Sequence, residues 1–373
     1  MTDFLPRARR LLHDGVGPVF PGAVLLVAVP GRPVAVEAAG ACALPGLAGP
    51  ANPVRPDTVF DVASLTKPLA TTAVLMTLVA EGRLSVTDTL GDRLPGLAGT
   101  DKGAIDLASL LAHSSGMPAW RPFGEDIVRA LGEAAAGTEA TRAEVARRVA
   151  AEALESPPGT SEAYSDLGFM LLGRVVEAAA EARLDEAFAS RIAGPLRLAR
   201  SFFVPIEAGR AEACPVPVEE VAATERCPTR GRVLRGEVHD DNAFVLGGVA
   251  PHAGLFSSAA DVAREVSAMF DAWAGRRGVF DPGVVRAFCS ARPLPGGTYV
   301  PGFDTPSTTG SSAGDRHPPR LVGHLGFTGT SFWLDLDSGT VVVLLTNRVH
   351  PTRANEAIKA FRPVIHDAVW DAL

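Results

Sequence analysis

The sequence contains very little lysine and tyrosine. Of its 35 basic residues only Lys67, Lys102 and Lys359 are lysine, and its two tyrosines are Tyr164 and Tyr299. Arginine stays charged in proteins, whereas a desolvated lysine can lose its proton. The three lysines are therefore the first positions to examine for acid–base chemistry.

Basic residues and long apolar runs are also scarce. The sequence has 35 basic and 42 acidic residues, which gives a net charge of −7. No basic stripe with interleaved aromatic residues occurs. We therefore predict no nucleic-acid partner. The longest strongly apolar run near the N-terminus, 23–29, is far shorter than the roughly 20 residues of a membrane span, so we predict no membrane partner. The first residues lack a signal-peptide pattern, and we expect a cytoplasmic location.

Cysteine is rare and scattered, with Cys42, Cys214, Cys227 and Cys289 as the whole set. The chain has no CxxC and no HExxH spacing, so we predict no metal and no cofactor. Cys214 and Cys227 could pair in an oxidising compartment, but ordinary thiols are the favoured interpretation.

Hydrophobic periodicity and turn residues predict strands near both ends of the chain and helices between them. The predicted strands are 23–29, 33–39, 58–62, 331–336 and 340–346, and the predicted helices are 3–14, 65–82, 107–113, 125–136, 142–155, 166–181, 258–274 and 352–372. Segments 205–236 and 293–319 are predicted loops. This order predicts a mixed α/β (α+β) fold, with an antiparallel sheet flanked by helices and built from both termini. We place the α/β domain at 1–75 and 245–373, and an inserted, mainly helical domain at 76–244.

A predicted strand brings Ser64 to the start of an apolar helix, and Lys67 follows three residues later on the same helical face. A serine hydroxyl is a weak nucleophile that needs an adjacent base, and a desolvated lysine can be that base. The helix N-terminus would supply backbone donors for developing negative charge. Taken alone, the pattern is more typical of a capping serine followed by a surface lysine.

Two later segments add to this pair. Tyr164 lies at a predicted loop-to-helix junction, where its phenol could relay a proton between Ser64 and a leaving group if Lys67 lowers its pKa. The alternative is a packed tyrosine with a satisfied hydroxyl. The small residues of 323–331 would let a strand backbone approach a ligand. His324 in that segment could instead be a cap or a satisfied surface histidine.

In these motifs the chain resembles the serine β-lactamase and penicillin-binding superfamily, specifically its class C β-lactamase-like branch. That branch includes esterases, D-alanyl-D-alanine peptidases and cell-wall amidases. The resemblance covers nearly the whole chain. The segments that carry it are RPDTVF at 55–60, ASLTK at 63–67, LLAHSSGMP at 110–118, YSDLG at 164–168 and HLGFTG at 324–329.

The resemblance implies an enzyme that forms an acyl intermediate on Ser64. It implies that Lys67 is the general-base partner and Tyr164 the proton relay. The backbone N–H groups of Ser64 and Phe327 would form the oxyanion hole, and Gly326 would contact the substrate.

Two residues depart from the family pattern. His324 stands where the lactamases have a lysine that faces a substrate carboxylate, which weakens the expectation of β-lactam hydrolysis but is compatible with peptidase activity. Asp166 stands where the tyrosine motif usually ends in asparagine. An ionised aspartate can only accept hydrogen bonds, so we predict a substrate that presents a donor to Asp166, or no contact there.

Two further segments have competing interpretations. GEVHDDNA at 236–243 is also characteristic of some members of this branch; His239 and Asp240 could line the cleft, but a loop clamp is favoured. GSSAG at 310–314 matches the nucleophile elbow GxSxG, but it lies in a predicted loop rather than between a strand and a helix. We therefore expect Ser312 to have no catalytic role.

The sequence as a whole predicts a cofactor-free serine hydrolase with a small ester or amide substrate. We rank carboxylesterase-type hydrolysis first, then a muropeptide amidase or D-alanyl-D-alanine carboxypeptidase, and then a β-lactamase. The alternative from another class is a penicillin- or peptide-binding module without turnover. The oligomeric state stays open.

Overall fold

The computed structural model describes residues 5–291 and 293–373. Its strands are β1 Gly22–Ala28, β2 Ala35–Gly40, β3 Phe60–Asp61, β4 Phe202–Phe203, β5 Ile206–Glu207, β6 Arg210–Ala211, β7 Leu255–Ser257, β8 Tyr299–Val300, β9 Phe303–Asp304, β10 Leu321–Leu325, β11 Ser331–Asp335 and β12 Val341–Thr346. Its α-helices are α1 Pro6–Asp14, α2 Ala73–Ala80, α3 Leu90–Arg93, α4 Leu107–Leu111, α5 Phe123–Leu131, α6 Glu139–Ala151, α7 Asp166–Ala180, α8 Leu184–Phe188, α9 Gly194–Leu196, α10 Asp241–Val245, α11 Ala259–Trp273, α12 Pro282–Cys289 and α13 Ile358–Trp370.

The main sheet has seven strands in the order β2-β1-β12-β11-β10-β9-β8, and its described pairings are antiparallel. Strand β1 pairs with β12 in a register that sets Ala23 opposite Thr346. Both strands are continuous apolar runs because helices cover both faces of the sheet, α1 and α13 on one side and α11 on the other. The predicted fold class, an antiparallel sheet built from both termini and flanked by helices, is confirmed.

A smaller sheet, in the order β3-β7-β4, lies beside the main one. It joins the strand before Ser64 to β7, which follows the GEVHDDNA segment. The predicted domain boundaries at 75/76 and 244/245 stay a prediction.

The segment Ala63–Ala80 forms the central core helix. It is long and apolar enough to cross a membrane, but 83% of it is buried inside the protein. It begins with a 3₁₀ turn at Ala63–Leu65, widens into a π-helical segment at Lys67–Thr72, and continues as α2. Its burial on all sides explains why its sequence is apolar without a polar face.

Several predicted element bounds need correction. The helix predicted at 125–136 ends at Leu131 because Gly132 has a φ of 79°, and the helix predicted at 352–372 begins only at Ile358. The predicted loop 293–319 contains β8 and β9, which extend the main sheet. Residues 3 and 4 of the first predicted helix lie outside the described residues. The four cysteines are free thiols, so Cys214 and Cys227 are not paired.

Candidate active site

Ser64 is held at a sharp bend between β3 and the core helix. The Asp61 carboxylate accepts a hydrogen bond from the Ala63 N–H (2.9 Å), and Ala63 has a φ of 49°, in the left-handed region. The bend continues as a 3₁₀ turn at Ala63–Leu65, and Lys67 opens the π-helical segment that follows. The Lys67 side chain reaches Ser64 across this junction, with Nζ 3.1 Å from Oγ.

Lys67 is fully buried and has three acceptors around its Nζ. Nζ lies 2.6 Å from Asp166 Oδ1, 3.1 Å from Ser64 Oγ and 3.1 Å from the His252 carbonyl oxygen. Burial lowers the pKa of Lys67, and the carboxylate of Asp166 opposes that shift. The direction agrees with the sequence-based expectation that a desolvated lysine approaches neutrality.

The three acceptors also orient the amine. Asp166 and the His252 carbonyl can only accept, so they take two hydrogens of Nζ. When Lys67 is neutral, its remaining valence is a lone pair that faces Ser64 Oγ. The arrangement can therefore withdraw a proton from the Ser64 hydroxyl, which is the task of a general base.

Tyr164 joins this group from the loop before α7. Its ring lies 4.7 Å from Lys67 Nζ, and its hydroxyl is within reach of Ser64. Burial raises the pKa of Tyr164 well above its ordinary value, and the nearby Asp166 raises it further. The condition set for the relay from sequence, a Tyr164 pKa lowered by Lys67, is not met, because desolvation of the phenolate outweighs the hydrogen bond with Ser64 that lowers the pKa. Tyr164 therefore stays a neutral phenol that can donate and accept a proton.

His113 was missed by the sequence analysis as a support for Tyr164. The two ring centroids are 4.4 Å apart, and the Ser165 N–H donates to His113 Nδ1 at 3.0 Å. Burial lowers the pKa of His113 well below its usual range, so the ring is neutral and stacks without adding charge. The signal was available, since His113 lies within the LLAHSSGMP segment.

The loop after β10 carries the second predicted oxyanion donor. Thr328 donates to the Asp61 carbonyl (2.8 Å) and Thr330 to the Val62 carbonyl (2.9 Å), which fastens this loop to the backbone just before Ser64. Within the described ranges, neither the Ser64 N–H nor the Phe327 N–H donates to a protein acceptor. Both residues line one cavity.

Gly326 is required for a reason that differs from the predicted one. A Cβ at this position would lie 2.0 Å from Thr330 Oγ1 and 2.5 Å from the Val62 carbonyl oxygen. The sequence analysis expected room for a ligand. The structure shows that the neighbouring backbone and Thr330 fill that space, although Gly326 also borders the cavity.

His324 lies on β10 beside the nucleophile and is buried. Its Nδ1 lies 2.9 Å from the Leu325 carbonyl oxygen. Burial, with a contribution from Lys67, lowers the pKa of His324 to about 3, so the ring is neutral at physiological pH. It lines the cavity but brings no positive charge to a substrate carboxylate.

His239 and Asp240 are held by hydrogen bonds to neighbouring segments, and both border the cavity. The His239 N–H donates to Asp61 Oδ2 (2.7 Å), and its ring contacts Glu225 at 3.0 Å. Asp240 caps α10 and contacts His252 Nε2 at 3.1 Å. The favoured clamp is present, and so is the cavity-lining alternative, because both residues border the cavity.

The cavity has a volume of about 610 Å³ and collects the predicted site residues. Lys67 lies beneath its floor, and Asp166 reaches it with a side chain that is 16% exposed. Trp120 and Phe327 are 42% and 50% exposed and border it. The residues that line it among those predicted are Ser64, Tyr164, Asp166, His239, Asp240, His324, Gly326 and Phe327.

The GxSxG match of 310–314 lies away from this cavity. The GSSAG segment is a loop, its Ser312 does not border this cavity, and the Ser312 carbonyl contacts His366. Across residues 5–291 and 293–373, no group of three or more His, Cys, Asp or Glu side chains is placed to hold a metal ion.

Comparison with known proteins gives a family match over most of the chain. The family model described as Beta-lactamase matches residues 8–363. The chain is 31% identical over 379 residues to a Bacillus subtilis (strain 168) protein named N-acetylmuramyl-L-alanine amidase, covering 94% of this chain and 82% of that protein. It is 30% identical over 314 residues to an Escherichia coli (strain K12) protein provisionally named D-alanyl-D-alanine carboxypeptidase, covering 79% of this chain and 70% of that protein.

Two solved structures show the same fold at low sequence identity. EstCE1, described as a hydrolase with promiscuous acyltransferase activity, aligns with a TM-score of 0.74 at 21% identity, covering 98% of each chain. The D-amino acid amidase from Ochrobactrum anthropi SV3 aligns with a TM-score of 0.71 at 18% identity, covering 99% of each chain.

Proposed function

The chain belongs to the beta-lactamase family of serine hydrolases, and from that premise we propose that it cleaves amide bonds of cell-wall-derived peptides through an acyl-enzyme on Ser64. One observation carries the proposal of a nucleophile: Ser64 Oγ lies 3.1 Å from the buried Lys67 Nζ. A hydroxyl in contact with a desolvated amine is the arrangement that activates a serine.

The substrate class rests on two supports. The relatives at 30–31% identity carry amidase and carboxypeptidase names, whereas the esterase neighbour is 21% identical. The cavity of about 610 Å³, with Trp120 and Phe327 exposed at its wall, suits a ligand larger than a short-chain ester. On these supports we propose amide cleavage ahead of ester hydrolysis. The sequence analysis ranked ester hydrolysis first, and that ranking stays a prediction.

The proposed acylation uses three groups in turn. The Ser64 Oγ–H proton passes to Lys67 Nζ as Oγ bonds to the substrate carbonyl carbon, and the carbonyl electron pair moves onto oxygen. The N–H groups of Ser64 and Phe327 stabilise that oxyanion. When the carbon–nitrogen bond breaks, the nitrogen takes a proton from the Tyr164 hydroxyl, and the Lys67 ammonium returns one to Tyr164. Water then repeats the sequence on the ester and releases the acid.

Hydrolysis of small esters is the second candidate. The observation in its favour is that the described site needs only a nucleophile and two backbone donors for an ester with a good leaving group. A β-lactamase ranks third, because neutral His324 offers no cation to the substrate carboxylate.

The test is intact mass after exposure to three separate substrates: a muropeptide, a nitrophenyl ester and a penicillin. We expect a transient adduct and product with the muropeptide, and loss of both in Ser64→Ala. Ser312→Ala is the matched control and should behave as the parent. An adduct retained in Ser64→Ala, or turnover of the ester alone, would contradict the proposal.

We also propose that the protein works in the cytoplasm. Four free thiols support a reducing compartment. Fractionation of the source cells would test this, and recovery outside the cytoplasm would refute it.

A further inference from the structure

A buried arginine on the last helix has no acidic partner. Arg362 lies in α13 and is 7% exposed. Across the described ranges, no carboxylate oxygen lies within 4.0 Å of its guanidinium. Burial lowers the pKa of Arg362 to about 10, so it stays cationic at neutral pH. An uncompensated buried charge is costly to a fold, which makes its contacts informative.

The Arg362 guanidinium donates hydrogen bonds to two backbone carbonyls of the loop after β10. Nη2 donates to the Gly326 carbonyl oxygen at 2.8 Å and to the Thr330 carbonyl oxygen at 2.8 Å. The Gly326 N–H already donates to that Thr330 carbonyl at 2.7 Å. A neutral donor could close the same loop without a buried charge, so loop closure alone does not account for an arginine here.

The Gly326 carbonyl belongs to the same peptide group as the Phe327 N–H. In a trans peptide the C=O and N–H point in opposite directions, so a cation that holds the carbonyl on the α13 side turns the N–H away from that helix. A positive charge on the carbonyl oxygen also polarises the peptide and strengthens its N–H as a donor. Phe327 borders the cavity that contains Ser64.

We propose that Arg362 is a positioning residue that aims and polarises the Phe327 N–H of the oxyanion hole. The inference rests on the proposed function, because it needs a tetrahedral intermediate on Ser64. Arg362 also borders the cavity that contains Ser64, but the hydrogen bonds that it donates go to the two carbonyls of this loop, so the role proposed is exerted through the Phe327 peptide.

The test compares Arg362→Gln and Arg362→Lys with the parent in the full chain. The readouts are kcat and KM with a nitrophenyl ester, the rate of Ser64 labelling by a fluorophosphonate probe, and the melting temperature. Loss of a whole oxyanion donor lowers kcat by roughly 10²–10³-fold. We expect Arg362→Gln to lower kcat by about 10–100-fold per active site, with KM within about threefold and a parallel fall in labelling rate. Arg362→Lys keeps the charge and should recover part of kcat.

Arg235→Gln is the matched control. Arg235 also donates to backbone carbonyls, those of Ala48, Val221 and Glu219, and it does not border the cavity. Its substitution should leave kcat per active site unchanged, whatever it does to melting. Active-site titration corrects each variant for its folded fraction.

The outcomes separate the two proposals. A parent that is not labelled at Ser64 would overturn the proposed function, and this inference with it. A labelled parent combined with Arg362→Gln of unchanged kcat and labelling rate per active site would overturn only the role of Arg362. An effect confined to KM or to melting temperature would do the same.

Discussion

At the scale of single residues, the contact between Lys67 and Asp166 sets the protonation of the base. Nζ and Oδ1 are 2.6 Å apart, and burial of Lys67 pulls its pKa down while Asp166 pulls it up. Asparagine, which usually ends the tyrosine motif in this family, would not add the second effect. Asp166 therefore departs from the family's sequence pattern, and in the structure its carboxylate is paired with Lys67.

Replacing Asp166 with asparagine should make Lys67 easier to deprotonate. The loss of the carboxylate removes the larger of the two influences that raise the Lys67 pKa, the other being Asp240, so the neutral amine persists to lower pH. We expect the acid-side limb of kcat/KM against pH to move to lower pH in Asp166→Asn, by about one unit or more. Asp101→Asn, which breaks the Lys102–Asp101 pair, is the matched control and should leave the limb in place. An unmoved limb in Asp166→Asn would show that Asp166 does not set the base.

Residue spacing was enough to propose a nucleophile and its base, because Ser64 and Lys67 are near in sequence. Tyr164 and His324 were proposed from their own segments with competing interpretations, and the family resemblance favoured one interpretation of each. Arg362 could not be found in this way, since its carbonyl partners lie 36 and 32 positions away and an arginine in a helix pattern looks like any other. The rise in the Tyr164 pKa could not be predicted either, because the extent of burial is set by elements distant in sequence.

At the scale of elements, the loop between β10 and β11 and the strand before Ser64 form one unit. Thr328 and Thr330 bond to the two carbonyls that precede the nucleophile bend. The two proposed oxyanion donors are therefore linked through two hydrogen bonds between these segments rather than carried on independent loops. Such fixed spacing is what a preorganised oxyanion hole requires.

Adding one methyl group to Gly326 should break this unit. The new Cβ of Gly326→Ala would overlap Thr330 Oγ1 and the Val62 carbonyl, so the loop must shift. We expect a fall in kcat of about tenfold or more, together with a lower melting temperature. Gly278→Ala is the control, since a Cβ there meets no atom within 4 Å. Equal activity of both variants would contradict this account of the loop.

Hydrophobic periodicity predicted the long helices and strands but not the short ones. β1, β12, α7 and α11 lie within one or two residues of their predicted bounds. α12 was missed, although Asp281 caps it and Pro282 occupies its first turn, which is a readable start signal. β8 and β9 have two residues each; β9 pairs with β10 and β8 pairs with β9, and no local sequence pattern reveals these pairings.

At the scale of the whole molecule, stability should depend on a carboxyl at the sheet edge. Asp304 on β9 pairs in register with Gly323 of β10, and burial, with a contribution from Glu162, raises its pKa to about 7. An acid with a raised folded pKa binds more protons when folded, so stability falls as pH rises from the unfolded value near 4 to about 7.

Asp304→Asn should remove that fall. We expect the variant to melt about 2–4 °C above the parent at pH 8 and close to it at pH 4, because the amide cannot ionise. The measurement is a thermal unfolding series across pH, with Asp126→Asn on the surface of α5 as the control. A parent–variant difference that does not change with pH would refute the assignment.

The pairing of β1 with β12 has a consequence for how the protein is made. The Gly22 N–H donates to the Asn347 side chain, a bond that joins residues 325 positions apart. In the growing chain β1 can pair with β2 early, but its other edge has no partner until β12 has been translated. The main sheet can therefore close only at that late stage, and until then one edge of an apolar strand stays open.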